Sequence, residues 1–316
     1  MKSTMLPQLP HVQCDQPDIP IRIDKVCVKG IYKRICLDAG DSSICLNTKI
    51  NACVDLPKSQ KGIHVSRNVE TVLETLSEAK FTGFKKLEEA LRNITHILLN
   101  KHNYAYKAEA SISTLYLYKY NDEYISNYVD EIPVILILKD VLLRDGYEET
   151  TIGVKIKGMT VCPCAQQVYA TMENLKLPHA PSHSQRAMIY LGVKVHGNDS
   201  NNIDLNDIIR ATLDSFSAPV LNFLKRDSEY RLVKKAFENP RFVEDVTRHA
   251  IYNVYKILRD NLKDDDEIFV KVISYESIHP FNLYSYSTYK VKELRELDHL
   301  SNGINNNLSD VTNKAC

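Results

Sequence analysis

The sequence predicts an α+β protein made of two consecutive units that share one order of elements. Its hydrophobic period switches between two, the mark of half-buried strands, and 3.6, the mark of amphipathic helices. Strands followed by a helix pair and then further strands fill the first half, and the same order of element types recurs in the second without any residue-level repeat. Size agrees: 316 residues, 44% hydrophobic and 25% charged, supply a core for one large domain or two of about 150 residues.

Residues about 20–36 and 43–55 alternate apolar and polar side chains and are rich in β-branched residues, which predicts a hairpin-like strand pair. From Asn68 to His102 the period lengthens. Val69, Val72, Leu73 and Leu76, then Phe84, Leu87, Leu91, Ile94 and Leu98, give two amphipathic helices broken near Thr82 and Gly83. Strands follow at about 104–119, 131–143 and 149–161. The second half opens on a strand at 187–196 and continues through helices at about 204–222, 228–237 and 240–262. It closes on strands near 267–276 and 283–290. The division expected is an N-terminal extension over 1–19, a first unit over 20–160, a second over 161–297 and a mobile polar tail over 298–316.

Composition removes several function classes. Lys and Arg number 40, as do Asp and Glu, and the pI is near 7.1, so no global basic field exists for nucleic acid and no such partner is expected. The N-terminal segment is broken by prolines and lacks an apolar h-region, and the longest apolar run, Ile132 to Leu138, is too short to span a bilayer. A cytoplasmic protein without membrane partners is expected. Five of the eight cysteines, Cys14, Cys27, Cys36, Cys45 and Cys53, lie early in the chain. In that compartment they are expected to be reduced thiols packed as small hydrophobes.

The chemistry concentrates in the run from Gly158 to Arg186, where Cys162 and Cys164 flank Pro163 and His183 follows about twenty residues on. Proline fixes its own φ and restricts the residue before it, so the two sulfurs cannot move independently. One thiolate is free to bind a metal while the other faces a substrate, although a turn containing two ordinary cysteines has the same spacing. Four other segments group reactive side chains. KGIHVSR places Lys61, His64, Ser66 and Arg67 before the first helix, as a phosphate cradle or a solvated loop. FLKRDSE gathers Lys225, Arg226 and Glu229 where an apolar helix is expected to end. In ENPRFVED, Asn239 suits an N-cap and Pro240 a first helical position, which puts Glu244 and Asp245 near a helix N-terminus. ESIH ends a strand with Glu276 and His279. Cys162, His183, Glu229 and His279 together form a mixed S, N and O set that suits Zn²⁺ or Fe²⁺ and not Ca²⁺ or Mg²⁺.

Taken in order, KGIHVSR, GMTVCPCAQ, PSHSQR, FLKRDSE, ENPRFVED and ESIH resemble the motif series of the type IB GTP cyclohydrolases, over about Lys25 to Glu296. The form of GMTVCPCAQ and the opening KVCVKGIYKRI resemble the archaeal branch, whose members start methanopterin or folate synthesis. The resemblance implies the tunnelling fold (T-fold), with two tandem units of antiparallel sheet and helix pair per chain. It also implies a homotetramer with active sites at subunit interfaces and GTP as substrate.

Carried over motif by motif, the resemblance makes Cys162, His183, Glu229 and His279 ligands of one divalent metal per site, Fe²⁺ first, with Zn²⁺ or Mn²⁺ as alternatives. It makes Cys164 the active-site thiol and Glu244 the anchor of guanine, whose N1–H and 2-amino group match two carboxylate oxygens. Glu276 is assigned to proton transfer or to orienting a ligand. His64, Arg67, Gln185, Arg186, Lys225 and Arg226 are assigned to the triphosphate. The reaction implied opens the guanine imidazole ring and releases C8 as formate, giving 7,8-dihydroneopterin 2′,3′-cyclic phosphate. The bacterial-type triphosphate product and a non-catalytic purine- or pterin-binding T-fold protein are the alternatives. Phe281 departs from the pattern, because family members often carry a histidine there, two positions after the one in ESIH.

Overall fold

The computed structural model describes residues 11–38, 43–78, 81–197 and 203–298. The expected mobile tail, past Asp298, and residues 1–10 of the expected extension lie outside the described residues. The chain forms two compact units, Met1–Ser113 with Lys139–Glu149, and Thr114–Leu138 with Thr150–Cys316. They differ from the division after residue 160 read from the sequence. Strands β3 (Lys107–Asp122), β4 (Ser126–Leu143) and β5 (Glu148–Val161) each contribute residues to both units.

The first unit opens with β1 (Ile23–Asp38) and β2 (Ser43–Leu56), an antiparallel hairpin paired from Asp38↔Ser43 to Ile23↔Leu56. Alternation buries Ile35, Leu37, Leu46 and Ile50 on one face. Helices α1 (Val65–Glu78) and α2 (Gly83–Lys101) follow, with Val72, Leu76, Leu87, Leu91, Ile94 and Leu98 buried at helical spacing. Leu73, expected on that inner face, is exposed.

The hairpin corrects the reading of four of the five early cysteines as reduced thiols, while Cys14 is a free thiol. Cys27 pairs with Cys53 and Cys36 with Cys45, each directly opposite its partner with Cα atoms 4.0 Å apart, and both pairs are disulfides. Facing positions on adjacent strands bring the sulfurs together whatever the compartment. Paired residue numbers sum to 81 from Asp38 to Ile31 and to 80 from Lys29 to Val26, because a bulge with Gly30 at φ +79° inserts one residue there. That offset hides the symmetry of the two pairs in the sequence.

In the second unit β5 leads directly into α3 (Pro163–Met172), and β6 (Ser184–His196), α4 (Leu205–Leu213) and the short β7 (Ala218–Pro219) follow. Next come α5 (Arg226–Glu238), α6 (Val243–Leu258), β8 (Glu267–Ser274) and β9 (Leu283–Lys290). β8 pairs antiparallel with both β6 and β9, and β7 pairs with β5 through Gly158↔Pro219. The core joins Ile189, Leu191 and Val193 of β6 to Val246, Ala250 and Val254 of α6 and to Val270 and Val272 of β8, all fully buried. Gly158 opens the cysteine motif because Phe216 lies against it, where an added Cβ would stand 2.1 Å from a ring carbon.

Three helical expectations change. Helix α3 is new; Pro163 starts it as a first-turn residue and Cys162 caps it. The helix expected over 204–222 ends at Leu213, where the chain turns into β7. Asn239 caps the C-terminus of α5 rather than starting the next helix, and its Nδ2 donates to the Lys235 carbonyl at 2.8 Å. Phe242 takes the N-cap position of α6, with its N–H donating to Asp245 Oδ2 at 3.2 Å.

Candidate active site

The two cysteines sit where β5 becomes α3. Cys162 is half-buried, and its sulfur accepts from the Ala165 N–H at 3.4 Å, satisfying one of the donors that a helix start leaves free. Cys164, in the first turn of α3, is exposed. His183 returns beside Cys162 through the backbone: the Cys162 N–H donates to the His183 carbonyl at 3.1 Å, and Ser182 Oγ donates to the Cys162 carbonyl at 2.7 Å. Three motifs then join in one hydrogen-bonded series. His183 Nδ1 and Gln185 Oε1 lie 3.0 Å apart, Gln185 Nε2 donates to Glu276 Oε1 at 3.5 Å, and Ser274 Oγ donates to the same oxygen at 2.7 Å. With Nδ1 protonated toward Gln185, Nε2 of His183 is the nitrogen left with a lone pair. The β6–β8 pairing makes this meeting possible by placing Gln185 and Glu276 just past Ala187↔Ser274.

His279 lies farther along the loop after β8, exposed, with Phe281 stacked on it at 4.9 Å between ring centroids and 7° between planes. The residue that replaces the expected histidine therefore packs face to face with the one that remains.

FLKRDSE enters a helix, where the sequence suggested a helix exit. Lys225 is the N-cap of α5, with Asp227 and Glu229 in the first turn, so the acidic side chains face the positive end of the helix dipole. Asp130 of β4 holds the preceding loop, accepting from the Asn222 N–H at 2.6 Å and its side-chain amide at 3.0 Å. Burial pushes the Asp130 carboxyl up, but the bonds from Asn222, Glu131 and Phe223 win and hold it below its ordinary value. Lys225 Nζ donates to Tyr128 Oη at 2.8 Å and sits 5.0 Å from that ring's centroid; the hydrogen bond raises the lysine pKa. Arg226 and Glu229 are exposed, as is Arg186 of β6.

Glu244 stands in the first turn of α6 and lines a cavity of about 360 Å³ with Thr247, Arg248, Tyr252, Ser285 and Tyr286. The cavity offers a carboxylate, a guanidinium, hydroxyls and aromatic faces.

His64 and Arg67 belong to the first unit. His64 precedes α1 with Cys14 Sγ 3.7 Å from its Nε2; burial, then Arg67 and His11, lower its pKa. Arg67 Nη1 donates to the Lys101 carbonyl at 2.6 Å. Next to them lies a network that sequence reasoning missed. His102 is fully buried, with Nε2 3.0 Å from Asn68 Oδ1 and Nδ1 2.8 Å from Tyr104 Oη. Asn68 Nδ2 donates to the Ala52 carbonyl, which leaves Oδ1 as acceptor and fixes His102 as the Nε2–H tautomer. Burial, then Arg67, His64 and Lys101, push the His102 pKa down to about 4. Its only sequence signal was its place at the end of an amphipathic helix.

The chain is similar to known proteins over most of its length. The family model described as "Type I GTP cyclohydrolase folE2" matches residues 9–285. A GTP cyclohydrolase MptA of Aeropyrum pernix is 35% identical over 287 residues, covering 90% of this chain and 98% of its own length. A GTP cyclohydrolase MptA of Methanosphaera stadtmanae is 33% identical over 316 residues, covering 92% and 97%. Uricase from Arthrobacter globiformis superposes with a TM-score of 0.51 at 7% identity, over 85% of this chain and 93% of the uricase, a likeness of fold alone. The fold is the α+β tunnelling fold expected from the sequence. The chain belongs to the type I GTP cyclohydrolase family, and its similar relatives lie in the archaeal branch. No helix among the described residues is long and apolar enough to cross a membrane.

The donors at this locus match part of the metal site that the family implies. A thiol and an imidazole on adjoining backbone are a donor pair that Zn²⁺ and Fe²⁺ accept, and the Nδ1 contact of His183 leaves its Nε2 free to bind. Among the described residues of one chain, however, no three His, Cys, Asp or Glu side chains converge closely enough to hold an ion. Cys162 and His183 supply two donors of suitable chemistry on adjoining backbone, and among the described residues Glu229 and His279 do not complete a set with them.

Proposed function

We propose that this GTP cyclohydrolase opens the guanine imidazole ring of GTP at the Cys162–His183–Glu276 cluster, releases C8 as formate and, with loss of pyrophosphate, forms 7,8-dihydroneopterin 2′,3′-cyclic phosphate. The observation that carries the reading is the series joining Cys162, His183, Gln185 and Glu276, which gathers three distant motifs into one locus. Similarity to archaeal GTP cyclohydrolases MptA supports the product class.

Cys162 and His183 would hold a divalent metal, Fe²⁺ in preference to Zn²⁺ or Mn²⁺, with the remaining donors completed when subunits assemble as a homotetramer. When bound, the metal supplies Lewis acidity that lowers the pKa of water near the reacting carbon. Around it the chain's own groups divide the work. Glu244 anchors guanine by accepting from its N1–H and 2-amino group, which fixes C8 at a set distance from the cluster. Cys164 presents its exposed thiol in the first turn of α3 as the group facing the ring being opened. Glu276, held by Ser274 and Gln185, moves a proton to or from the ring nitrogens as the C–N bonds break. His64, Arg67, Gln185, Arg186, Lys225 and Arg226 bind the triphosphate, arginine through its bidentate fork.

The test is to incubate anaerobically purified, metal-reconstituted protein with GTP, assay formate, and resolve the phosphorylated pterin by mass. Formate with a cyclic-phosphate pterin is the expected result. Formate with a triphosphate pterin would assign the bacterial-type product instead, and absence of formate with Fe²⁺, Zn²⁺ and Mn²⁺ would refute the reading.

A further inference from the structure

Gln166 closes the GMTVCPCAQ motif, and its side chain is fully buried. Its Nε2 donates to two backbone carbonyls, Phe237 at 2.9 Å and Ala180 at 3.3 Å. Its own N–H donates to the Cys162 carbonyl at 3.3 Å. Among the described residues its Oε1 has no partner, and a buried acceptor left unpaired costs about 1–3 kcal/mol. Methionine fills nearly the same volume without that cost, so packing alone does not account for an amide here.

The segments that Nε2 joins do account for it. Ala180 lies three residues before His183, in the loop leading from α3 to β6, and is itself buried. Phe237 lies in the last turn of α5, the helix whose first turn carries Glu229. Gln166 stands one turn after Cys162 on α3. One primary amide therefore ties together the three segments that bear Cys162, His183 and Glu229. Only a nitrogen with two N–H groups can donate to two carbonyls at once; a carboxylate at the same place would repel both.

The short helical turn Leu177–His179 of this loop meets α5. A cavity of about 320 Å³ opens there, lined by Pro178, His179, Pro181, Tyr230, Val233 and Phe237 among others. Packing against a cavity registers a loop less firmly, so its position depends on hydrogen bonds: those from Gln166 at Ala180 and Phe237, and those that join Ser182 and His183 to Cys162.

We propose that Gln166 is a positioning residue that sets the His183 loop and α5 against the Cys162 turn, so that the metal donors are presented in one arrangement. The proposal rests on the reading of Cys162 and His183 as metal donors. Its test needs no turnover. Gln166→Met keeps the volume and removes both donated hydrogen bonds, and Gln166→Leu does the same with a branched side chain should the first variant fail to fold. Gln167→Met, at an exposed neighbour on the same helix, is the control.

Each metal-free protein is checked for folding by circular dichroism and titrated with Co²⁺. The absorption bands report coordination geometry, and competition with a chelator gives the affinity. Loss of the Gln166 amide is expected to weaken Co²⁺ binding about tenfold to a hundredfold and to change the band pattern, as removal of outer-shell partners does elsewhere. Gln167→Met is expected to match the unaltered protein. Unchanged affinity and bands in the folded Gln166 variants, with Cys162→Ala losing Co²⁺, would overturn the positioning role alone. Full Co²⁺ binding by Cys162→Ala would overturn the metal reading as well.

Discussion

Acidification should reveal His102 as a stability switch under the candidate phosphate cradle. Its imidazole is buried and neutral, with a pKa of about 4 against an ordinary 6.5. The unfolded chain therefore takes up more protons between those two values. The contribution of His102 is whole above pH 6.5 and is lost as the pH falls toward 4. Linkage applied to the two values gives about 2 kcal/mol lost between pH 7.5 and pH 5, near 1.4 kcal/mol per unit through the steep part. Protonation also turns Nδ1 into a donor facing the Tyr104 hydroxyl, so that hydroxyl must rotate to accept. The assay is urea unfolding at pH 7.5 and pH 5 for the unaltered chain and for His102→Gln, with the histidine ring C–H shifts followed by NMR. A shallower pH dependence is expected in the variant, and one ring signal, missing from it, is expected to titrate near 4. A His102 midpoint at or above 6.5 would refute the argument that burial and neighbouring cations govern this group.

Three further outcomes follow from the site and its scaffold. Cys162→Ala should lose bound metal while Cys164→Ala keeps it but loses turnover; metal analysis and the formate assay separate the two, and full activity in both variants would end the assignment. Glu244→Gln should keep the fold and raise the KM for GTP about tenfold or more, because an amide cannot accept from both guanine donors; steady-state kinetics with matched circular dichroism read this out. Gly158→Ala should cost about 1–3 kcal/mol, since its Cβ would stand 2.1 Å from the Phe216 ring; a denaturation midpoint equal to that of the unaltered chain would contradict it.

The sequence made the repeated order of strands and helix pairs legible because period reports burial, and burial is what the sheets and helices share. It also marked as candidates Cys162, His183 and Glu276, which the structure brings together, since each motif ends a strand or starts a helix. Helix α3 escaped because it is short and its exposed face carries Val168, Tyr169 and Met172, which blurs the helical period. Gln166 and His102 escaped for another reason. A buried polar residue looks in a sequence like a surface one, and only its partners show otherwise. The disulfides were misread because facing positions on a hairpin depend on register, and the bulge at Gly30 shifts that register by one residue.

Those two cross-links alter what the chain is before it folds. They close loops of 26 and 9 residues, one nested inside the other. Chain-entropy arguments assign about 3.5 and about 2.6 kcal/mol to such closures taken singly, and less than their sum together because the inner bond shortens the outer loop. The denatured polypeptide thus still holds β1 beside β2 in native alignment. A slip of one residue, which would turn Ile35 and Leu46 out to water, is barred before any core has formed. The oxidised chain enters folding with the pairing of β1 to β2 already decided.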